Sequence, residues 1–144
     1  MSELPIAIRM ATNEDYGYIL KTWSIDFHKT FPTTFIPNSI YVPHQTKIIN
    51  NILAVSHVEV ACIDDEPDTI CGYLISQPIN TDNVIIHWGQ TKGIFRRMGI
   101  MKELLKSIQV SSKNIICSHH FHLFKEMKDK FNLIYDPTLI ESFQ

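Results

Sequence analysis

The sequence predicts a mixed α/β fold, with a sheet that is antiparallel in its first half and parallel in its second and has helices on both faces. Three observations carry this. Two apolar runs, Val58–Ile63 and Thr69–Gln77, flank the polar turn Asp64–Asp68 and read as a hairpin. A strand, a helical stripe and a second strand follow between Asn83 and Ser118, which is the pattern of a parallel crossover. The 144 residues suit one domain, residues 1–144, large enough to bury a core without disulfides or a structural metal.

Ile6–Met10 reads as the first strand. Thr12 followed by Asn13, Glu14 and Asp15 resembles a helix N-cap with an acidic third position. Tyr16, Ile19, Leu20, Trp23 and Phe27 recur at helical spacing, so a first helix should reach about His28. Thr30–Pro43 holds Pro32, Pro37 and Pro43 and little periodicity, which predicts a long loop anchored by aromatics. Pro43 fits the first turn of a second helix running to about Val55, with Ile48, Ile49, Ile52 and Leu53 buried. After the hairpin, Pro78–Asp82 breaks the chain and Asn83–Gln90 reads as a strand. A third helix is expected from about Arg97 to Val110, on the stripe Ile100, Met101, Leu104, Leu105 and Ile108. Asn114–Ser118 reads as a strand, Phe121–Phe131 as a helix, and Leu133–Tyr135 as the start of a last strand. The order is β-α-α-β-β-β-α-β-α-β.

Composition narrows the function classes. A net charge of -2 argues against a nucleic-acid partner, which usually selects a basic excess. No apolar run approaches the roughly 18 residues of a membrane span. Met1–Pro5 lacks a basic region followed by an apolar core, so cytoplasm is the expected compartment. Cys62, Cys71 and Cys117 lie in apolar runs at spacings that fit no zinc motif, which predicts buried reduced thiols.

The chemically informative segment runs from His87 to Leu105. It is a strand, a loop with Arg96 and Arg97, then Gly99 and an amphipathic helix. A helix N-terminus offers unpaired N–H groups and the positive end of its dipole, which suits phosphate oxygens. Gly99 removes a side chain where a phosphate must approach the backbone. No P-loop lysine-serine pair exists, so a nucleotide-binding module is disfavoured.

This segment resembles motif A of the GNAT superfamily of N-acetyltransferases, (Arg/Gln)-x-x-Gly-x-(Gly/Ala). Arg96 and Gly99 match, while Met101 stands where the family prefers glycine or alanine. Ile8-Arg9-Met10-Ala11 resembles the opening strand of that family, and Ile70-Cys71-Gly72-Tyr73 its third strand. Thr91–Ile100, Trp23, Tyr41–His44, Ser118-His119 and Tyr135-Asp136-Pro137 look like the acetyltransferase-like proteins of tailed bacteriophages. The resemblance implies a GNAT-like fold whose sheet splays between the fourth and fifth strands. It implies acetyl-CoA as cofactor, bound by Thr91, Lys92, Gly93, Arg96, Arg97, Met98, Gly99, Ile100 and Met101. Thr91 and Gly93 would meet the pantetheine arm.

The implied reaction is attack of an amine on the acetyl thioester. The amine must lose a proton, and an N–H near Trp88–Gln90, at a strand bulge, must face the developing oxyanion. His119, His87 and Glu59 are the candidate bases. The tyrosine that many relatives use as acid corresponds to Phe124, which has no acidic proton. His119, His120, His122 and Cys117 invite a metal reading, but no carboxylate completes the set and neighbouring residues point apart, so no metal is expected. Trp23, Phe27, Phe31, Phe35 and Tyr41 read as packing residues, some of them beside the acceptor groove. The expected partners are acetyl-CoA and an amine of a small molecule, peptide or protein, acted on by a monomer or homodimer. The competing class is a non-catalytic phage structural or host-interaction protein of the same fold, favoured by Met101 and Phe124.

Overall fold

The computed structural model describes residues 5–30, 32–108, 114–119, 128 and 133–144. Its strands are β1 (Ile6–Met10), β2 (His57–Ile63), β3 (Glu66–Pro78), β4 (Asn83–Thr91), β5 (Asn114–Cys117) and β6 (Leu133–Tyr135). They form one sheet in chain order. The pairs from β1 to β4 are antiparallel, and β4–β5 and β5–β6 are parallel. The helices are α1 (Tyr16–His28), α2 (Asn38–Val55) and α3 (Ile100–Ser107). The expected helix over Phe121–Phe131 lies outside the described residues apart from Lys128, and so do Phe31, His120, His122 and Phe124. Among the described residues no helix is long and apolar enough to cross a membrane.

Adjacent strand residues face opposite sides of the sheet, and this sorts the layers. A side chain at Gly72 would meet Ile100 of α3. The next residue, Tyr73, instead places its hydroxyl 2.6 Å from Thr22 Oγ1 of α1. Helix α3 therefore covers one face, and α1 with α2 the other. Ile19, Trp23, Ile48, Ile49 and Ile52 are fully buried on the α1/α2 side, and Leu104 on the α3 side. Each such side chain contributes about 1.5–3 kcal/mol by leaving water.

Three helix starts differ from the sequence expectation. Asp15, not Thr12, is the N-cap residue of α1. Its carboxylate accepts from the Thr12 N–H at 2.7 Å and takes a bidentate pair from Arg9 at 2.6 and 3.0 Å, tying β1 to α1. Helix α2 begins at Asn38, so Pro43 is inside it rather than in its first turn. Tyr41 explains the early start: it is buried, stacks on His28 at 3.9 Å, and donates its hydroxyl to the Ser24 carbonyl at 2.6 Å. This anchorage offsets the hydrogen bond that Pro43 cannot donate. Helix α3 begins at Ile100 rather than Arg97, because Arg97 and Gly99 both have positive φ. All three cysteines are buried and unpaired.

Candidate functional site

The site begins with the way β4 leaves its neighbours. Ile75 pairs with Trp88 and Ser76 with Ile86, so His87 is an extra residue, a bulge on β4. The bulge thus falls one residue before the Trp88–Gln90 segment that the sequence suggested. On its other edge β4 pairs with β5 only from Asn83↔Asn114 to Ile86↔Cys117. The Ser118 N–H still reaches the Ile86 carbonyl at 3.3 Å, and beyond that point β4 continues to Thr91 without a β5 ladder. This is the expected splay between the fourth and fifth strands. The Lys92 N–H donates to the Cys71 carbonyl on β3 at 2.8 Å. By alternation Gly89 and Thr91 turn their amides the other way, into the opening. Gly93 has left the strand: it starts a single 3-10 turn, Gly93–Phe95, pinned by buried Phe95.

The loop after that turn presents amides. Arg96 is extended, Arg97 has φ 66° and Gly99 φ 75°. Residues of alternating hand turn successive N–H groups toward one concavity. Among the described residues, the N–H groups of Arg97, Met98, Gly99, Ile100, Met101 and Lys102 meet no acceptor, whereas the Arg96 N–H is used by Gly93. The side chains of Lys92, Arg96 and Arg97 are exposed, and none pairs with a described carboxylate. A Cβ on Gly99 would find open space. Ile100 and Met101, named with this loop from the sequence, turn their side chains into the core, so only their main chains face the concavity. Met101 lies over Gly89: a Cβ there would come within 3.1 Å of the Met101 methyl.

The candidate bases separate. His87 and His119 are buried on the α1/α2 side of the sheet, linked through Ser118, whose Oγ lies 2.6 Å from His87 Nδ1 and 2.8 Å from His119 Nδ1. His87 Nε2 lies 2.9 Å from Gln77 Oε1. The bulge makes this possible, because the adjacent His87 and Trp88 both reach the His119 ring. Trp23 and Phe27 of α1 wall that ring in. Burial pushes His87 down to about 4, and burial together with His87 pushes His119 down to about 3, so both rings are neutral at pH 7. His119 Nε2 is buried without a hydrogen-bond partner among the described residues. Glu59 is on the opposite face, beneath α3, where its carboxylate is held by Ser107 Oγ and by His57 Nε2 at 2.8 Å. Leu74 stands between Glu59 and Gly89 in the strand register. The structure therefore does not bring Glu59 to the opening.

Sequence reasoning gave no individual role to three residues: Gly89, named only within Trp88–Gln90, Ser118, named only in the resemblance, and Gln77. Gly89 could have been found as a glycine inside a strand, a sign of close approach. Ser118 and Gln77 carry no signal in the chain, since only the bulge and the parallel pairing bring them to His87. Of the expected packing aromatics, Trp23 and Tyr41 are buried, Phe27 packs against the core, and Phe35 is 76% exposed. Among the described residues no His, Cys, Asp and Glu group could hold a metal.

No protein-family model matches the chain, and neither does any curated protein. Solved structures do match in shape. An acetyl transferase candidate from Pyrococcus furiosus aligns with TM-score 0.66 at 16% identity, covering 87% of this chain and 91% of that one. An acetyltransferase candidate from Clostridium difficile gives 0.57 at 14% identity, over 92% and 91%. A GNAT family acetyltransferase from Brucella melitensis, solved in complex with acetyl-CoA, gives 0.54 at 12% identity, over 87% and 82%. Some similar chains are longer: one GNAT family acetyltransferase from Staphylococcus aureus is spanned over 62% of its length. The mixed α/β fold of this chain is thus that of the GNAT acetyltransferases.

Proposed function

We propose that this chain is a single-domain N-acetyltransferase that uses acetyl-CoA and an amine acceptor. One observation carries the reading: among the described residues the Arg97–Lys102 amides meet no acceptor, and they open an exposed cationic loop directly after a strand whose ladder with β5 ends at Ile86. That arrangement fits a pyrophosphate. The amides and Gly99 would hold the phosphate oxygens, Lys92, Arg96 and Arg97 would add charge, and Thr91 and Gly89 would offer edge hydrogen bonds to the pantetheine arm. When bound, the coenzyme supplies an acetyl group activated as a thioester. Gly89 N–H is the donor best placed for the developing oxyanion. His119 is preferred as base over His87 and Glu59, because His119 Nε2 is buried with no hydrogen-bond partner among the described residues while Glu59 is engaged on the far face.

The non-catalytic alternative loses one of its supports, since Met101 faces the core and does not block the loop. Its other support, Phe124, lies outside the described residues.

Thermal unfolding with acetyl-CoA tests the reading. At 100 times its dissociation constant the ligand should stabilise the protein by about 2.7 kcal/mol. Gly99→Asp and Gly99→Asn make the matched pair, because both residues tolerate a left-handed backbone and differ in charge. The aspartate should weaken acetyl-CoA about tenfold or more relative to the asparagine, through repulsion of the phosphates. Equal affinities would remove the proposed cradle.

A further inference from the structure

His87 and His119 belong to one hydrogen-bonded chain, and its polarity follows from chemistry. The Gln77 side-chain oxygen can only accept, so His87 Nε2 carries a proton. The ring is neutral, hence His87 Nδ1 is bare and accepts the one proton of Ser118 Oγ. Ser118 Oγ then accepts from His119 Nδ1–H. That leaves His119 Nε2 bare, buried and, among the described residues, unpartnered. Ser118, His87 and His119 are each at most 2% exposed, whereas Gln77 is partly exposed. A polar chain that is satisfied at every link but its inner end is costly unless something docks there. The His87 bulge, which turns this ring to the face of Gln77, builds the chain into the sheet.

We propose that His87 and Ser118 form a proton relay that drains His119, with Gln77 holding the His87 tautomer, so that His119 is the group touching the acceptor amine and the other three are positioning residues. The proposal rests on the acetyl-transfer reading for the identity of the proton donor. The balance is simple. An N–H bond of the amine breaks as H–Nε2 forms on His119. The His119 Nδ1–H breaks as its proton joins Ser118 Oγ, and the original Ser118 proton joins His87 Nδ1. The His87 Nε2–H then passes to bulk water as the partly exposed Gln77 side chain, which accepts the hydrogen bond but takes no proton, swings aside. One proton enters and one leaves, both rings finish neutral with exchanged tautomers, and no charge rests on a buried imidazole. The relay thereby answers the difficulty that buried, neutral rings are weak bases.

The test uses histidine labelled with nitrogen-15 in the full chain at pH 7. Long-range NMR correlations should show His87 as the Nε2–H tautomer and His119 as the Nδ1–H tautomer. Solvent exchange of the His119 ring proton is then compared in wild type, Gln77→Leu, Ser118→Ala and Ser118→Thr. Gln77 does not touch His119, so a merely structural role predicts no change there on Gln77→Leu. The relay predicts slowing on the order of tenfold in Gln77→Leu and Ser118→Ala, the factor expected for one lost hydrogen-bonded link, with wild-type exchange in Ser118→Thr. Opposite tautomers, or the same His119 exchange in wild type and Gln77→Leu, would overturn the relay. Acetyl-CoA binding is measured on the same four samples. Intact exchange coupling without coenzyme binding would overturn the amine as proton source and keep the conduit.

Discussion

Met101 and Gly89 share one volume. A Cβ on Gly89 would lie 3.0 Å from Leu74 Cδ1 and 3.1 Å from the Met101 methyl, so the missing side chain on β4 makes room for the long one on α3. Gly89→Ala should therefore cost about 1–3 kcal/mol by overpacking, and Met101→Ala about 2–5 kcal/mol by leaving a cavity. The double variant should be less destabilised than the sum, because one change fills what the other empties. Denaturant melts of the four proteins read the coupling; strict additivity would mean that the two sites do not share space.

At the scale of elements, the Arg9–Asp15 pair fastens β1 to α1. The Arg9 hydrogen bond holds the Asp15 carboxyl below its ordinary value. Asp15→Ala removes the pair and the acceptor of the Thr12 N–H, and should cost about 1–3 kcal/mol in a urea titration. Arg9 would then lose its partner while still facing the Pro67 carbonyl at 2.9 Å. Pro43 offers the opposite sign. It is exposed within α2 and cannot donate to the preceding turn. Pro43→Ala should raise stability by about 1 kcal/mol, the gain of a helical hydrogen bond less the entropy that proline removes from the unfolded chain. A loss of stability would show that the ring fixes the helix entry.

At the scale of the molecule, two neutral histidines buried beside the sheet opening make stability depend on pH. Their folded values are about 4 for His87 and about 3 for His119, against an ordinary 6.5. The unfolded chain therefore takes up these protons first as the solution is acidified. Their contribution is whole above 6.5 and is lost progressively as pH falls toward the folded values. Each ring adds a slope of up to about 1.4 kcal/mol per pH unit in that window. His119→Asn removes one proton sink, so urea midpoints measured from pH 7 to pH 5 should fall less steeply than in wild type. An unchanged slope would show that His119 is not held neutral by burial.

The chain by itself determined the strands, the hairpin, the apolar stripes of the helices and the loop with Arg96 and Gly99, because these are local patterns of period, turn chemistry and charge. Helix starts were less legible. Tyr41 draws α2 back across Pro37 through contacts with α1, and the left-handed Arg97 and Gly99 delay α3. Only the tertiary structure decided that Met101 packs on Gly89, that His87 is the bulge, and that Ser118 joins two histidines while Glu59 faces away. Each of these depends on strand register, and one extra residue in β4 changes which face a side chain occupies. That parity is settled between strands and is written in no single segment.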